Sequence, residues 1–314
     1  MHDIFAASKY EELKKLTDLG NEISLGDHLN GFTKDKKNYL LTHLHDIAQT
    51  DVTVYHDQVF SQKVRDNYPK FSFKLNLPLW LWNSFKSYNI HPEINYKQFV
   101  CSFNGSAHIS RQLLVAALNQ FEFFNPTTCS KNFSVTEDVI SGHIKTYSEN
   151  QERFYNKFFI SLKNIKFLNE VHSFGLEQYN HSANIFTLEK PLTSSFVHVV
   201  SETMATSYVP FITEKFLYSI VTRGLFVTYG QPGWHDHLEK FYGFKKYDKI
   251  FNYGFDQIEN PVERLVELLS MLSKFKNLSV DDWVDLYLLE QDTVEYNYQH
   301  YFTLGYRKTL DCFN

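Results

Sequence analysis

The chain has 314 residues, 43% hydrophobic and 21% charged, and a formal charge of −5 at neutral pH. That balance excludes a disordered or fibrous protein and disfavours one drawn to nucleic acid by its overall charge. Its three cysteines, Cys101, Cys129 and Cys312, are too few and too scattered for a disulfide framework or a zinc site.

The start, MHDIFAASKYEELKKL, lacks the basic and apolar regions of a signal peptide, and no apolar run reaches the ~18 residues of a membrane helix. The expectation is a soluble, cytoplasmic protein with no transmembrane segment. A helical stretch is expected at SKYEELKKLTDL, followed by a Gly/Asn/Asp-rich connection, NEISLGDHLNGFTKDKK. Beyond it, YLLTHL and VTVYHD read as short strands, QVFSQKVRDNY as a helix by charge spacing, and FSFKLNL as a strand. LPLWLWNSFKSYNI is expected to be a helix entered at Pro78.

A second unit opens with the apolar strand KQFVCSF, the turn NGSAHIS and the amphipathic helix RQLLVAALNQFEFF. After a polar middle come the buried strand FVHVVSET, a helix from Thr213, the strand LFVTYG and the helix WHDHLEKF. NPVERLVELLSMLSKF has a helix start at Asn260-Pro261, and DDWVDLYLLEQDTVEYNYQHYF reads as one closing helix. Alternating strands and helices in two blocks predict an α/β protein of two facing, mostly parallel domains, with the site in the cleft between them.

The strand VHVV ends at Ser201-Glu202, which places the Glu202 carboxylate at the carboxyl end of the sheet, where open α/β folds bind ligands. Thr213 stands at a helix N-cap position, and Glu214 suits the positive end of that helix. Lys215 at the same end is unfavourable unless an anion is present, and a bound phosphate would resolve the conflict. An ordinary cap, with Lys215 in water, accounts for the same triplet. In NGSAHISR, Asn104 and Gly105 suit the turn, and Arg111 can offer its planar fork to a diphosphate or form a surface ion pair.

SETMATSYVPFITEKFLYSIVTRGLFVTYG resembles the donor-binding motif of the α1,3-fucosyltransferase family, glycosyltransferases of the GT-B fold. FVCSFNGSAHISRQLL is similar to that family's asparagine and arginine segment, and YGFKKYDKIFNYGFDQIENPVERLVELL to its downstream portion in short viral and bacterial members. The resemblance spans roughly residues 98 to 270. It implies a GT-B-like arrangement of two Rossmann-like domains: residues 1–95 on the acceptor side, residues 96–285 binding the donor, and a helical segment, residues 286–314, returning to the first domain. It also implies that Arg111 and Lys215 neutralise the donor diphosphate, that Glu214 binds ribose or sugar hydroxyls, and that Glu202 lies beside the donor sugar or acts in catalysis by helping to stabilise developing positive charge. Phe211 stands where the family often has tyrosine, which keeps ring stacking and loses a hydroxyl. Thr203 replaces the family's usual asparagine.

The implied donor is a nucleotide sugar, a GDP-sugar first and a UDP-sugar second, and no cofactor is permanently bound. The implied acceptor is a cell-surface glycan or lipopolysaccharide, and the alternative is a hydroxylated DNA base. A strip containing Lys63, Arg65, Lys70 and Lys74 is the local basic feature that a DNA acceptor would need. The inverting, metal-independent chemistry of the family needs a base in the first domain. Asp57 is the first candidate, and Asp46 and His56 stand behind it. His43-x-His45 and His235-x-His237 carry metal-like spacing, but a third ligand is missing and packed or solvated histidines are the better reading. A nucleotide- or glycan-binding protein without catalysis is the rival from another class.

Overall fold

The computed structural model describes residues 22–24, 31–56, 60–75, 93–105, 107–123 and 181–304, with positions 85, 88, 138, 141 and 142 besides. The expected helices at 8–19 and 77–90, apart from Phe85 and Tyr88, and nearly all of the polar middle lie outside the described residues. The fold is α/β, with two three-stranded parallel sheets.

The first sheet has the order β1 (Glu22–Ser24), β2 (Val52–His56), β3 (Phe71–Leu75). Burial alternates along β2, as one covered face requires. The helices α1 (Tyr39–Ile47) and α2 (Gln62–Asp66) connect the strands, and their Leu41, Leu44 and Val64 pack with Val52, Val54, Phe71 and Phe73. Two readings are corrected here. YLLTHL is the start of helix α1, because the Asn38 side chain accepts the Leu41 N–H at 3.1 Å and Leu41 and Leu44 turn to one face. Glu22–Ser24, within the supposed connection, pairs in parallel with β2.

The second sheet has the order β4 (Gln98–Cys101), β5 (Ser195–Ser201), β6 (Leu225–Tyr229). All seven residues of β5 are buried, as expected for a central strand covered on both faces. Helix α3 (Ile109–Gln120) follows β4, and α4 (His181–Thr193) precedes β5. After β5 a 3₁₀ turn (Glu214–Phe216) runs into the short α5 (Leu217–Val221). Helix α6 (Trp234–Tyr242), a second 3₁₀ turn (Tyr253–Gln257) and α7 (Pro261–Ser273) follow β6. In α7, Pro261 occupies the first turn and Asn260 accepts the N–H groups of Val262 and Glu263, as its sequence predicts.

The expected single closing helix is two, α8 (Val280–Leu289) and α9 (Gln291–Leu304). Glu290 at the break is buried, and its Oε1 accepts the Lys249 N–H at 2.6 Å. Val294 and Tyr301 of α9 pack in the second core, together with Phe85 and Tyr88. Among the described residues, no helix is long and apolar enough to cross a membrane.

His56 and His198 are buried imidazoles whose pKa burial lowers to about 3. The unfolded chain protonates them near 6.5, so their stabilising contribution is complete above that pH and is lost as pH falls toward 3. Each is expected to remove about 2 kcal/mol between pH 7 and pH 5. Urea midpoints at the two pH values should show this, and His56→Phe, which keeps the ring packing on Phe60, should recover about half. Equal pH dependence in both proteins would contradict it.

Candidate active site

The carboxyl ends of β4, β5 and β6 lead into three segments, residues 102–111, 202–213 and 230–234, and all the sequence-derived donor residues lie on or next to the first two. Glu202 extends β5, its N–H donating to the Tyr229 carbonyl at 3.1 Å. Its side chain is fully buried. Both carboxylate oxygens are engaged by one residue: Oε1 accepts the Thr213 N–H at 3.1 Å and Oε2 accepts the Thr213 hydroxyl at 2.7 Å. Burial raises the Glu202 pKa, while Lys215 and the Thr213 bonds oppose that shift.

Thr213 occupies the N-cap position, as expected, but its side chain does not cap the turn. Its proton goes to the Glu202 carboxylate, a charge-assisted bond stronger than one to a backbone amide. The hydroxyl also accepts from Lys215 Nζ at 2.9 Å, and Lys215 lies 3.5 Å from Glu214 Oε1. The charged triplet therefore closes a chain from Lys215 through Thr213 to Glu202. Lys215 and Glu214 retain 20% and 18% side-chain exposure, so this chain reaches the surface.

Arg111 enters from the first turn of α3 and donates through Nη2 to Thr203 Oγ1 at 3.3 Å. Its residue exposure is 7%, and burial lowers its pKa against the opposing pull of Glu202 and Glu214. Two cations and two carboxylates from three chain segments thus share one electrostatic cluster. Asn104 is buried and bonded to Ser102, and Phe211 is held through its backbone, its N–H on Gln231 and its carbonyl accepting from Trp234 Nε1.

The loop after Glu202 is fixed at several points. Ala205 N–H donates to Ser110 Oγ at 2.9 Å, and the Ala205 carbonyl accepts from Arg264. Further on, Ser207 Oγ accepts the Phe32 N–H at 3.0 Å, the Tyr208 carbonyl accepts from Lys36 Nζ at 2.7 Å, and Val209 packs in the first core. One loop therefore joins the site to the first sheet's unit. At the end of β6, a Cβ on Gly230 would come within 2.7 Å of Trp234 Cδ1. Gly230→Ala is expected to cost about 1–3 kcal/mol by forcing Trp234 out of its packed position, and a chemical denaturation midpoint equal to wild type would contradict this.

Two residues of this region escaped the sequence reading. Arg264 is fully buried in α7 and bonds the carbonyls of Ala205, Gly230, Ile258 and Glu259. The available signal was its position on the apolar face of α7, with Leu265, Leu268 and Met271. His108, inside NGSAHISR, is exposed at the head of α3, and Arg111 and Lys215 both act on it electrostatically.

Asp57 lies outside the described residues. Of the residues behind it, His56 is buried and stacked on Phe60 at 4.2 Å, while Asp46 is exposed on α1, 3.9 Å from His45. In α1, a helix, His43 and His45 do not share a face: His43 stacks on Tyr39 and His45 sets its edge against Tyr68 and Phe71. His235 is committed to Asp256 at 2.8 Å and accepts the Thr228 N–H, while His237 packs on Phe241. Among the described residues, no group of three or more His, Cys, Asp or Glu could hold a metal ion. In the basic strip, Lys70 bonds the Ala48 carbonyl at the end of α1, and Lys74 lies over the Tyr55 ring.

No protein-family profile, curated protein or solved structure matches this chain.

Proposed function

We propose that the chain is a glycosyltransferase that moves a sugar from a nucleotide-diphosphate sugar to an acceptor hydroxyl, within a GT-B-like pair of domains. The observation that carries this reading is the gathering of Arg111, Lys215, Glu202, Glu214, Thr203 and Thr213 at the carboxyl end of one parallel sheet. A GDP-sugar is the first donor and a UDP-sugar the second, and a cell-surface glycan is the acceptor.

In this scheme Lys215 and Arg111 stabilise the charge that grows on the leaving diphosphate, in a buried setting that strengthens the interaction. Glu202 is the positioning residue. By binding both the N–H and the hydroxyl of Thr213, it sets the oxygen that receives Lys215. Glu214 binds donor hydroxyls, Phe211 and Asn104 border the donor, and Thr203 aligns Arg111. Asp57, from the first domain, takes the acceptor proton.

The test is release of nucleoside diphosphate from GDP-fucose and from UDP-glucose without acceptor. Slow release by the wild type, lost in Lys215→Ala, is the expected result. Diphosphate binding with no release from any nucleotide sugar, and no transfer to any glycan, would replace the enzyme with a non-catalytic binding protein.

A further inference from the structure

We propose that the outward face of α8 is a docking surface for a basic amphipathic helix of a partner protein. It stands apart from the donor site, because α8 packs toward the other end of the same sheet.

The inner face of α8 is fixed to the second core. Trp283 stacks on Phe99 and Phe196, which lie near the starts of β4 and β5, with ring centroids 5.7 and 5.8 Å apart, and its Nε1 donates to the Phe275 carbonyl at 2.9 Å. Leu286 and Tyr287 pack against the same core. A capping box between Ser279 and Asp282 closes the first turn. The helix is therefore held in place without any contact on its outer side.

On that outer side Val280, Val284 and Leu288 recur every fourth residue, which sets them in one row along the helix, and they are 46%, 39% and 53% exposed. Leu278, just before the cap, and Leu289 extend the apolar surface at its two ends. Single exposed apolar side chains are ordinary, but a contiguous row of them on one helix marks an interaction surface. The neighbouring row opens with Asp281 and Asp285, both exposed and, among the described residues, without an ion-pair partner. Asp282 in the first turn and Asp292 just past the helix are exposed as well, and α8 contains no Lys or Arg. At its far end Lys249 Nζ is committed to the Leu289 carbonyl at 2.6 Å.

This charge selects the occupant. The α8 of a second copy would bring only more carboxylates to the contact, and an anionic membrane would meet the same repulsion. A partner helix with apolar anchors at i, i+3, i+4 and i+7 and Lys or Arg along its flank covers the row and pairs Asp281 and Asp285.

The experiment is fluorescence anisotropy of the full chain with a labelled leucine–lysine peptide that is apolar along one helical face, beside a scrambled peptide of the same composition. Wild type should bind the amphipathic peptide about tenfold or more tightly than the scrambled one, and more weakly as salt rises. Val284→Gln/Leu288→Gln, which leaves the charge unchanged, should lose that preference. Asp281→Asn/Asp285→Asn should keep it and lose most of the salt dependence, with circular dichroism verifying the fold of each variant. Equal binding of the two peptides by wild type, or unchanged preference in Val284→Gln/Leu288→Gln, overturns the proposal. Self-association of wild type in sedimentation, or binding to phosphatidylserine vesicles, that Val284→Gln/Leu288→Gln abolishes would give the face to a second copy or to a membrane and overturn it likewise.

Discussion

Lys215→Ala and Arg111→Ala are each expected to weaken nucleoside diphosphate binding about 10- to 150-fold, the loss of one charge-assisted contact worth roughly 1.5–3 kcal/mol. The two should differ in their effect on the fold. Lys215 keeps 20% side-chain exposure, and its removal leaves Thr213 bonded to Glu202 while taking away one charge that opposes the burial of Glu202, so Lys215→Ala should lose less stability than Arg111→Ala. Arg111 is buried and is a counter-charge to Glu202 and Glu214, so Arg111→Ala should lose stability as well as affinity. Arg111→Lys restores the charge without the planar fork and should recover only part of the binding. Titration of both alanine variants with GDP and UDP, beside denaturation curves, separates these effects. Wild-type affinity in both variants, with the fold intact, would remove them from the site.

Arg264→Ala is expected to be the most damaging single change to the fold, at about 3–5 kcal/mol. One side chain ties the carbonyls of Ala205, Gly230, Ile258 and Glu259, which belong to the loop after Glu202, the end of β6 and the approach to α7. Truncation leaves the buried carbonyls at Ala205 and Gly230, and the less buried ones at Ile258 and Glu259, without this donor and opens a cavity where the side chain lay. Arg264→Lys should recover a minor part, because an ammonium cannot address carbonyls lying in several directions at once. Urea unfolding of the two variants measures this. A loss below about 1 kcal/mol in Arg264→Ala would mean that the loop is held by its other contacts, at Ser110 and in the first core.

The fold was legible where a local signal and the tertiary environment agree. The strand FVHVVS is apolar enough to be central, Asn260-Pro261 starts a helix by its own chemistry, and both stand where the sequence places them. YLLTHL is a short apolar run that periodicity alone does not assign, whereas its leucines, the Asn38 cap and the facing Leu41 and Leu44 settle it as a helix. The break at Glu290 has no glycine or proline to announce it, since it follows from a carboxylate turned inward to the Lys249 amide. Helix α4 carries Pro191 in its interior and runs on to Thr193, in a stretch to which the sequence reading assigned no element.

The site divides the same way. That Glu202, Thr213, Glu214 and Lys215 belong together was legible from a strand end followed by a charged turn. Their wiring was not, because an N-cap threonine normally bonds its own helix, and here a buried glutamate at the end of β5 competes for the same hydroxyl. Arg264 escaped because a charged residue on an amphipathic helix is ordinarily assigned to the solvent face.

The central claim, that this cluster holds a diphosphate, is tested most directly by thermal unfolding of the wild type and Lys215→Ala against GDP, UDP, GDP-fucose and UDP-glucose. At a ligand concentration 100 times the dissociation constant, binding adds about 2.7 kcal/mol to the folded state. The wild-type midpoint should rise by several degrees with one nucleotide series, and that of Lys215→Ala by much less. No rise with any of the four ligands, or an equal rise in both proteins, would contradict it.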